Sequence, residues 1–595
     1  MADIIREAPL GQILRWVTGN RVFKYPEEES DFQLPVAWVA SLNGEKSHLD
    51  TASSRSTSVP TPSPDVDDAK AEAEEAELAP YGTDIEAVRT LSRSQTRPFT
   101  QERLEIEKRD SIDRTLSRPI APTKTRDGHI LVDWYTTDDP ADPQNWSAGK
   151  KRWVTFLICL YTFVVYCGSA IYTASELGVM AQFGVNATDA SLPLALYVLA
   201  YGVGPLVFAP LSEIPVIGRS PVYFISFVIF TILSIPVGFV NNFAGLLVLR
   251  FLQGFFGSPC LANGAATMQD MYSFIYLPYA LICWVASAYA GPALGPLLSG
   301  FAVTSLGWRW SLHEIAIAAG PVLVLMFALL PETSTPNLLL RRAVRLRKLT
   351  GDARIMAQSE IDQKHLKVSS VVVEAMIKPL EITIKDPAIA FVNLYTALVY
   401  GIYYSFFEVF PLVYPVYYGF SLGMVGVVFL CVLISCLIGV AIYVAYLHFY
   451  MIPDIMKNGM RAQEHRLVPA LFGCFGPPIG LFIFAWTARA DITWVAPTIG
   501  IVIYGGSVFV VMQCIFTYVP MSYPQYAASL FASNDFFRSA LACGSILFAR
   551  PLFLNLGVAK GTTLLGGLSV LGIIGMFILW VYGAQLRKRS KFAQF

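Results

Sequence analysis

Charge is what this chain has least of. Only 15% of its 595 residues are Asp, Glu, Lys or Arg, and 44 basic side chains are matched by 44 acidic ones, so the formal net charge is zero. That balance gives no reason to expect nucleic acid as a partner, since the acids gather in the N-terminal tail and the bases line short turns further on. A Gly-x-x-x-x-Gly-Lys-Ser/Thr phosphate loop is absent, which argues against ATP as a direct energy source. Paired catalytic acids, a metal-ligand cluster and a serine beside a positioned base are absent too, so neither an enzyme nor a cofactor is expected. The nine cysteines offer no metal spacing. Cys159, Cys167, Cys260, Cys283, Cys431, Cys436, Cys474, Cys514 and Cys543 fall inside or beside apolar runs, where thiols act as small packing groups. The N-terminus lacks a secretory signal peptide, because its first apolar segment is short and carries charges.

What the chain has instead is apolar length. Hydrophobic residues make up 54% and aromatic ones 13% of the total, far from the usual soluble balance. Between Trp153 and about Leu586 they form about a dozen runs of about 20 residues, each long enough as a helix to cross a hydrocarbon core of about 30 Å. In that medium only helices or closed barrels satisfy the backbone, and runs this long are helices, so the fold class is an all-α membrane protein. The runs begin near Val154, Thr188, Val222, Phe243, Leu277, Ser311, Pro387, Leu422, Leu467, Trp494, Gln525 and Gly561. With the N-terminus in the cytoplasm, Lys150, Lys151, Arg152, Arg219, the run Arg341 to Lys348, Lys457, Arg461, Arg466 and Arg587 to Lys591 share one side. The other holds little beyond Arg309, Arg489 and Lys560. This is the positive-inside pattern, and it places both termini in the cytoplasm. Asn186 of Asn-Ala-Thr then faces outward as a glycosylation acceptor.

Four segments follow. Residues 1–145 form a cytoplasmic extension in which Leu10, Ile13, Leu14 and Val17 recur at helical spacing beside Arg15 and Trp16. They predict a short amphipathic helix, on the membrane surface or packed on the protein's cytoplasmic face. From about Ser41 to Pro122 the composition is too poor in apolar residues to bury a core, and disorder is expected. Two Arg-Thr-Leu-Ser segments, Arg89 to Ser92 and Arg114 to Ser117, suit basophilic kinases there. Residues 146–332 and 387–595 hold six runs each. They are joined by a cytoplasmic linker, 333–386, whose basic stretch Arg341, Arg342, Arg345, Arg347 and Lys348 is expected to set topology and touch anionic lipid. A six-and-six division suggests two bundles related by a pseudo-twofold axis, the plan of major facilitator transporters.

Four motifs carry the resemblance further. GPLVFAPLSEIPVIGR, Gly204 to Arg219, resembles the major facilitator loop between spans 2 and 3; the likeness implies a latch of Glu213, Arg219 and Asp270 that closes the inner gate. The motif departs from the general pattern in having Glu for Asp and an inserted Ile-Pro-Val-Ile before the glycine. LRFLQGFFGSP, Leu249 to Pro259, places Arg250 inside span 4, where an unpaired arginine is costly and marks a pathway or a partner. Its Arg-x-x-Gln-Gly-x-x-Gly pattern, with Gln253, resembles the proton-coupling motif of drug:proton antiporters. AGPALGPLLSG, Ala290 to Gly300, sets Gly291 and Gly295 on one face for tight helix contact, with Pro292 and Pro296 one turn apart on the adjoining side. It resembles the antiporter motif at the bundle interface and points to efflux. With YAASLFASNDFFRSAL in span 11 and further matches from about Asp138 onward, the chain is similar to fungal twelve-span drug:proton antiporters of the branch handling azoles and benomyl. His313 stands where an aromatic residue is expected.

Proton coupling needs a group that can lose its proton near the membrane centre. Asp535 with Arg538, three residues apart in span 11, leads, followed by Glu408 in span 7 and Glu176 near the outer mouth. Tyr197, Tyr201, Tyr400, Tyr404 and Phe407 recur one turn apart and, with Gln253 and Asn534, suit a cavity that holds flat apolar molecules or cations by stacking. Trp284 and Gln513 are further candidates. The expectation is a monomeric multidrug exporter working against protons, in the plasma membrane by resemblance. A polyamine or self-made toxin exporter and a transporter-like receptor are the alternatives.

Overall fold

The computed structural model describes residues 2–43, 119–125, 127–273, 275–363, 377, 380–459, 461–523 and 527–593. Both Arg-Thr-Leu-Ser segments and Gln525 lie outside them. Among the described residues, twelve helices have the length and apolar composition to cross a membrane. Spans 1 to 6 are Ala148–Phe183, Ala187–Glu213, Arg219–Val237, Phe243–Met271, Leu277–Leu306 and Trp310–Leu329. Spans 7 to 12 are Pro387–Tyr418, Leu422–Asn458, Gln463–Thr487, Val495–Ser522, Ser529–Leu556 and Val558–Arg589. The chain is therefore a multi-pass membrane protein; the face that carries the start of span 1 and the end of span 12 is here called the terminal face.

Within each half the spans pack on one another, as 1 on 5, 2 on 4 and 3 on 6, then 7 on 11, 8 on 10 and 9 on 12. Between the halves, span 2 packs along span 11 and span 5 along span 8. Exchanging each span for its counterpart six positions on turns the first of these contacts into the second, which is the mark of the pseudo-twofold. Small residues make the close approaches. A Cβ on Gly291 would meet the Cys167 backbone nitrogen at 2.6 Å, and one on Gly202 would meet Ser539 Cβ at 2.2 Å. Span 4 is broken after Gly257, where Pro259 opens a second helical segment, Pro259–Met271; proline has no N–H to continue the first.

The terminal face carries a small module that hydropathy does not reveal. Helix Thr335–Thr350 packs against strand Ile355–Met356, which pairs in parallel with Ile130–Leu131. Trp38, Ile120, Val132, Trp134, Leu339 and Leu346 form its core. Ile120 lies within the stretch expected to be disordered; it is ordered because Pro119 bridges Thr136 and the side chain is buried. The basic helix turns three of its arginines to protein carboxylates. Arg342 pairs with Asp139 at 2.7 Å and Glu27 at 3.3 Å, Arg345 with Glu27 at 3.1 Å, and Arg347 with Glu360 at 2.7 Å. Helix Pro9–Val17 buries one side and exposes the other. Arg15 is buried on Glu28 at 2.7 Å and the helix packs on spans 3 and 6, while Ile13, Trp16 and Val17 stay exposed.

Candidate functional site

A narrow cavity of about 40 Å³ lies between the two halves, so a drug-sized molecule needs the halves to part further before it can enter. Span 1 contributes Tyr166; span 5 contributes Trp284, Tyr289 and Pro292; span 7 contributes Tyr400 and Tyr403. Met512 and Phe516 come from span 10 and Arg538 from span 11. The Trp284 ring is fixed by its indole N–H, which donates to the Cys260 carbonyl at 3.1 Å just beyond the break in span 4.

Beside the cavity, hydroxyls from opposite halves form one network. Tyr201 of span 2 bonds Tyr400 at 2.6 Å and Tyr404 at 2.8 Å, and Tyr404 reaches Ser169 of span 1 at 3.2 Å. Of the sequence candidates, Tyr201, Tyr400 and Tyr404 are thus brought together. Tyr197 is not. Its hydroxyl donates to the Val165 carbonyl at 2.8 Å, and its ring lies under the Arg250 guanidinium at 4.3 Å. Phe407 stacks on Phe429 at 5.0 Å and packs away from the cavity lining. Asn534 donates to Asn393 at 3.0 Å and Thr396 at 2.7 Å, which ties span 11 to span 7.

Arg250 is fully buried among dipoles and rings. It donates to Gln253 Oε1 and the Gly168 carbonyl at 2.9 Å each, and Gln253 in turn donates to Ser234 at 2.7 Å. No carboxylate pairs with it among the described residues, and its Nε–H has no partner. Asp535 and Arg538 form a buried ion pair. Arg538 also lies over the Tyr400 ring at 4.9 Å and the Phe516 ring at 5.6 Å. Asp535 Oδ2 and Arg538 Nε remain without partners. Glu408 is buried with Oε1 unpartnered, within electrostatic reach of Glu176 and Arg550. Glu314 is half-buried, with Oε2 unpartnered among the described residues.

At the terminal-face end of span 3, Arg219 pairs with Asp270. Glu332, just past span 6, accepts from the Arg219 backbone N–H at 3.0 Å and from Ser220 at 3.1 Å. Glu213 is exposed and within electrostatic reach of both charges, but it forms no close ion pair among the described residues. Gly291 and Gly295 seat span 5 on span 1, and the Pro296 carbonyl lies 2.5 Å from where a Cβ on Gly426 of span 8 would stand. His313 packs on Phe239 at 4.8 Å and Trp310 at 6.0 Å, filling an aromatic position with an aromatic ring.

Sequence reasoning missed Tyr166, Tyr289, Tyr403 and Glu332. Tyr403 sits in the same aromatic run as Tyr400 and Tyr404, which was the available signal; Glu332 lies 113 residues from Arg219 and carried none. Among the described residues no group of three or more His, Cys, Asp or Glu could hold a metal ion.

Comparison with known proteins gives four findings. The sequence profile of the Major Facilitator Superfamily matches residues 157–545. The chain is 42% identical over 593 residues to an MFS-type transporter, pyvG, of Aspergillus violaceofuscus, covering 100% of each chain. It is 40% identical over 476 residues to a cycloheximide resistance protein of Candida maltosa, covering 78% of this chain and 86% of that one. Among solved structures, the proton:xylose symporter XylE matches with a TM-score of 0.51 at 12% identity over 73% of this chain and 96% of that one, a likeness of fold alone.

Proposed function

The chain belongs to the Major Facilitator Superfamily, and from that premise we propose that it exports hydrophobic drugs or toxins in exchange for protons, by exposing one central cavity to each face of the membrane in turn. The observation that carries this reading is the aromatic cavity between the two halves, with a buried, ionisable Asp535–Arg538 pair at its wall. A relative named for cycloheximide resistance supports the substrate class. The terminal face is the cytoplasmic one, in keeping with its basic turns; the protein acts as a monomer in the plasma membrane.

Asp535 is the proton carrier in this scheme. While it is ionised, its charge and that of Arg538 cancel, and the cavity wall accepts an apolar molecule. Protonation at Oδ2, the carboxylate oxygen without a partner, discharges one side of the pair and leaves a guanidinium uncompensated in apolar surroundings. That state is costly without water, so hydration follows and the apolar substrate leaves. Loss of the proton restores the neutral pair. Arg250, Gln253 and Glu408 hold the adjoining helices in register with this change, and the Arg219–Asp270 pair with Glu332 closes the terminal face in the matching half of the cycle.

The test uses proteoliposomes holding the full chain with the terminal face outward and labelled cycloheximide. With the interior acid, wild type accumulates the label. Asp535→Asn, held in the uncompensated state, loses gradient-driven accumulation and binds the label only weakly. Accumulation that is indifferent to the gradient contradicts the scheme.

A further inference from the structure

Helix Pro9–Val17 is built the wrong way round for a surface in water. Its inner side holds Gly11, Gln12 and Arg15. The Gln12 amide donates to the Arg6 carbonyl at 2.7 Å and to the Tyr25 hydroxyl at 3.1 Å. Arg15 donates to the Phe23 carbonyl at 2.6 Å and to Glu28 at 2.7 Å. The outer side carries Ile13, Trp16 and Val17, at the i, i+3 and i+4 spacing of one helix stripe, with Leu14 beside them. Trp16 is 82% exposed and Val17 67%, while Arg15 is buried. A helix bordering water puts its guanidinium outside and its indole inside. The reverse order suits a border with lipid.

The position of the helix supports the same reading. It packs on spans 3 and 6, and Leu329, the last residue of span 6, shares a cavity wall with Ile4 and Arg6. The N-terminal helices therefore sit at the terminal-face end of that span. Span 6 lies at the rim of its bundle, with Ile317 and Val324 exposed, and span 3 exposes Ile225. In a membrane-spanning helix such side chains face lipid, and the outer stripe of helix Pro9–Val17 continues their surface. The charged side chains still exposed between Pro9 and Pro26 are Arg21 and Lys24, both basic. Arg342, Arg345 and Arg347 of the linker helix, by contrast, are held by protein carboxylates.

We propose that helix Pro9–Val17 lies in the bilayer interface at the terminal face, with Ile13, Trp16 and Val17 in the acyl boundary and Arg21 and Lys24 on anionic headgroups. Trp16 sets the depth, because its ring is apolar and its N–H reaches headgroup oxygens. Through the Arg15–Glu28 pair and the neighbouring Glu27–Arg345 pair, the helix fixes the terminal-face module to the lipid surface. The inference concerns placement in the membrane and holds whatever the protein carries.

The test replaces Trp16 with the photoreactive p-benzoylphenylalanine in the full chain, reconstituted in vesicles of equal parts phosphatidylcholine and phosphatidylserine, and reads lipid adducts by peptide mass. The same probe at Val324 is the lipid-facing reference, and at Ala353, an exposed turn residue of the module, the water-facing one. Lipid adducts at Trp16 should come within about twofold of those at Val324 and be absent at Ala353. A second probe position, Val17, should behave as Trp16 does, which guards against a fold disturbed at one site. Phosphatidylserine adducts at Trp16 should exceed phosphatidylcholine adducts by about twofold or more, and the excess should disappear in the double variant Arg21→Gln with Lys24→Gln. Absence of lipid adducts at both Trp16 and Val17 while Val324 forms them overturns the proposal. Cross-links from these positions to a second copy of the chain, or back into the same chain, in place of lipid do so as well. Equal adducts of the two lipids in the presence of Arg21 and Lys24 overturn the headgroup contact.

Discussion

At the residue scale, buried charges are the most exacting features. Arg219 and Asp270 are both buried, and removing one partner strands the other. Arg219→Ala is therefore expected to destabilise by about 3–5 kcal/mol, read as a large fall in melting temperature in detergent; Arg219→Lys should retain part of it. The acids of the terminal-face module give a pH test with opposite signs. Burial pushes the Asp139 carboxyl up, but the Arg342 guanidinium and the N–H groups of Ala141 and Tyr135 outweigh it and hold the group below the usual carboxylate range. Its pairing thus adds stability at neutral pH, which is lost as pH falls through the lowered value. Burial lifts the Asp142 carboxyl to about 6, so this group costs stability as pH rises from the ordinary carboxylate value of about 3.9 toward the raised one. Melting at pH 7 should fall in Asp139→Asn and rise in Asp142→Asn, with the second difference vanishing below the ordinary carboxylate range. Residues of this kind were only half legible. Arg219 and Asp270 sit in a recognisable loop pattern and a charged span end, whereas Glu332 is brought to them by the fold. Tyr197 carried the same local signal as Tyr201, yet one turn of helix directs its hydroxyl to a backbone carbonyl and that of Tyr201 to the opposite bundle.

At the element scale, the spans were readable because a run of apolar side chains has one outcome in a bilayer, whatever the tertiary contacts. The module on the terminal face was not, since its core joins single residues such as Trp38, Ile120 and Ile355 that are far apart in sequence and follow no helical period. Glu27, buried at 3% exposure, clamps Arg342 and Arg345 of helix Thr335–Thr350 to the N-terminal segment. Glu27→Ala should loosen this helix, so that trypsin cuts between Arg341 and Arg354 faster than in wild type while the spans stay folded. Gly291→Leu tests the other kind of element contact. A side chain there must displace the span 1 backbone, overpacking that costs about 1–3 kcal/mol or more, and yield of folded protein should drop, whereas Gly320→Leu, with open space around it, should be tolerated.

At the scale of the whole molecule, two pseudo-equivalent contacts hold the halves together, and the Tyr201–Tyr400–Tyr404 network bonds them beside the cavity. Alternating access requires the halves to part on one face at a time, so bonds that cross between them favour the state in which they are made. Tyr201→Phe removes a hydroxyl shared by two of them and should shift the population away from this arrangement, seen as a changed distance distribution between spin labels on spans 2 and 7. The even, six-and-six arrangement was legible from hydropathy and the linker; which spans meet across the interface was not, because packing partners are set by surface shape rather than by composition. The central claim is exchange of substrate for protons through this cavity. Its most direct test is proton movement itself: proteoliposomes with a trapped pH indicator, no imposed gradient, and cycloheximide added on the side of the terminal face. The account predicts that inward substrate flux drives protons out and raises internal pH in wild type, with no response in Asp535→Asn. Substrate entry without any change in internal pH, or with acidification, would contradict it.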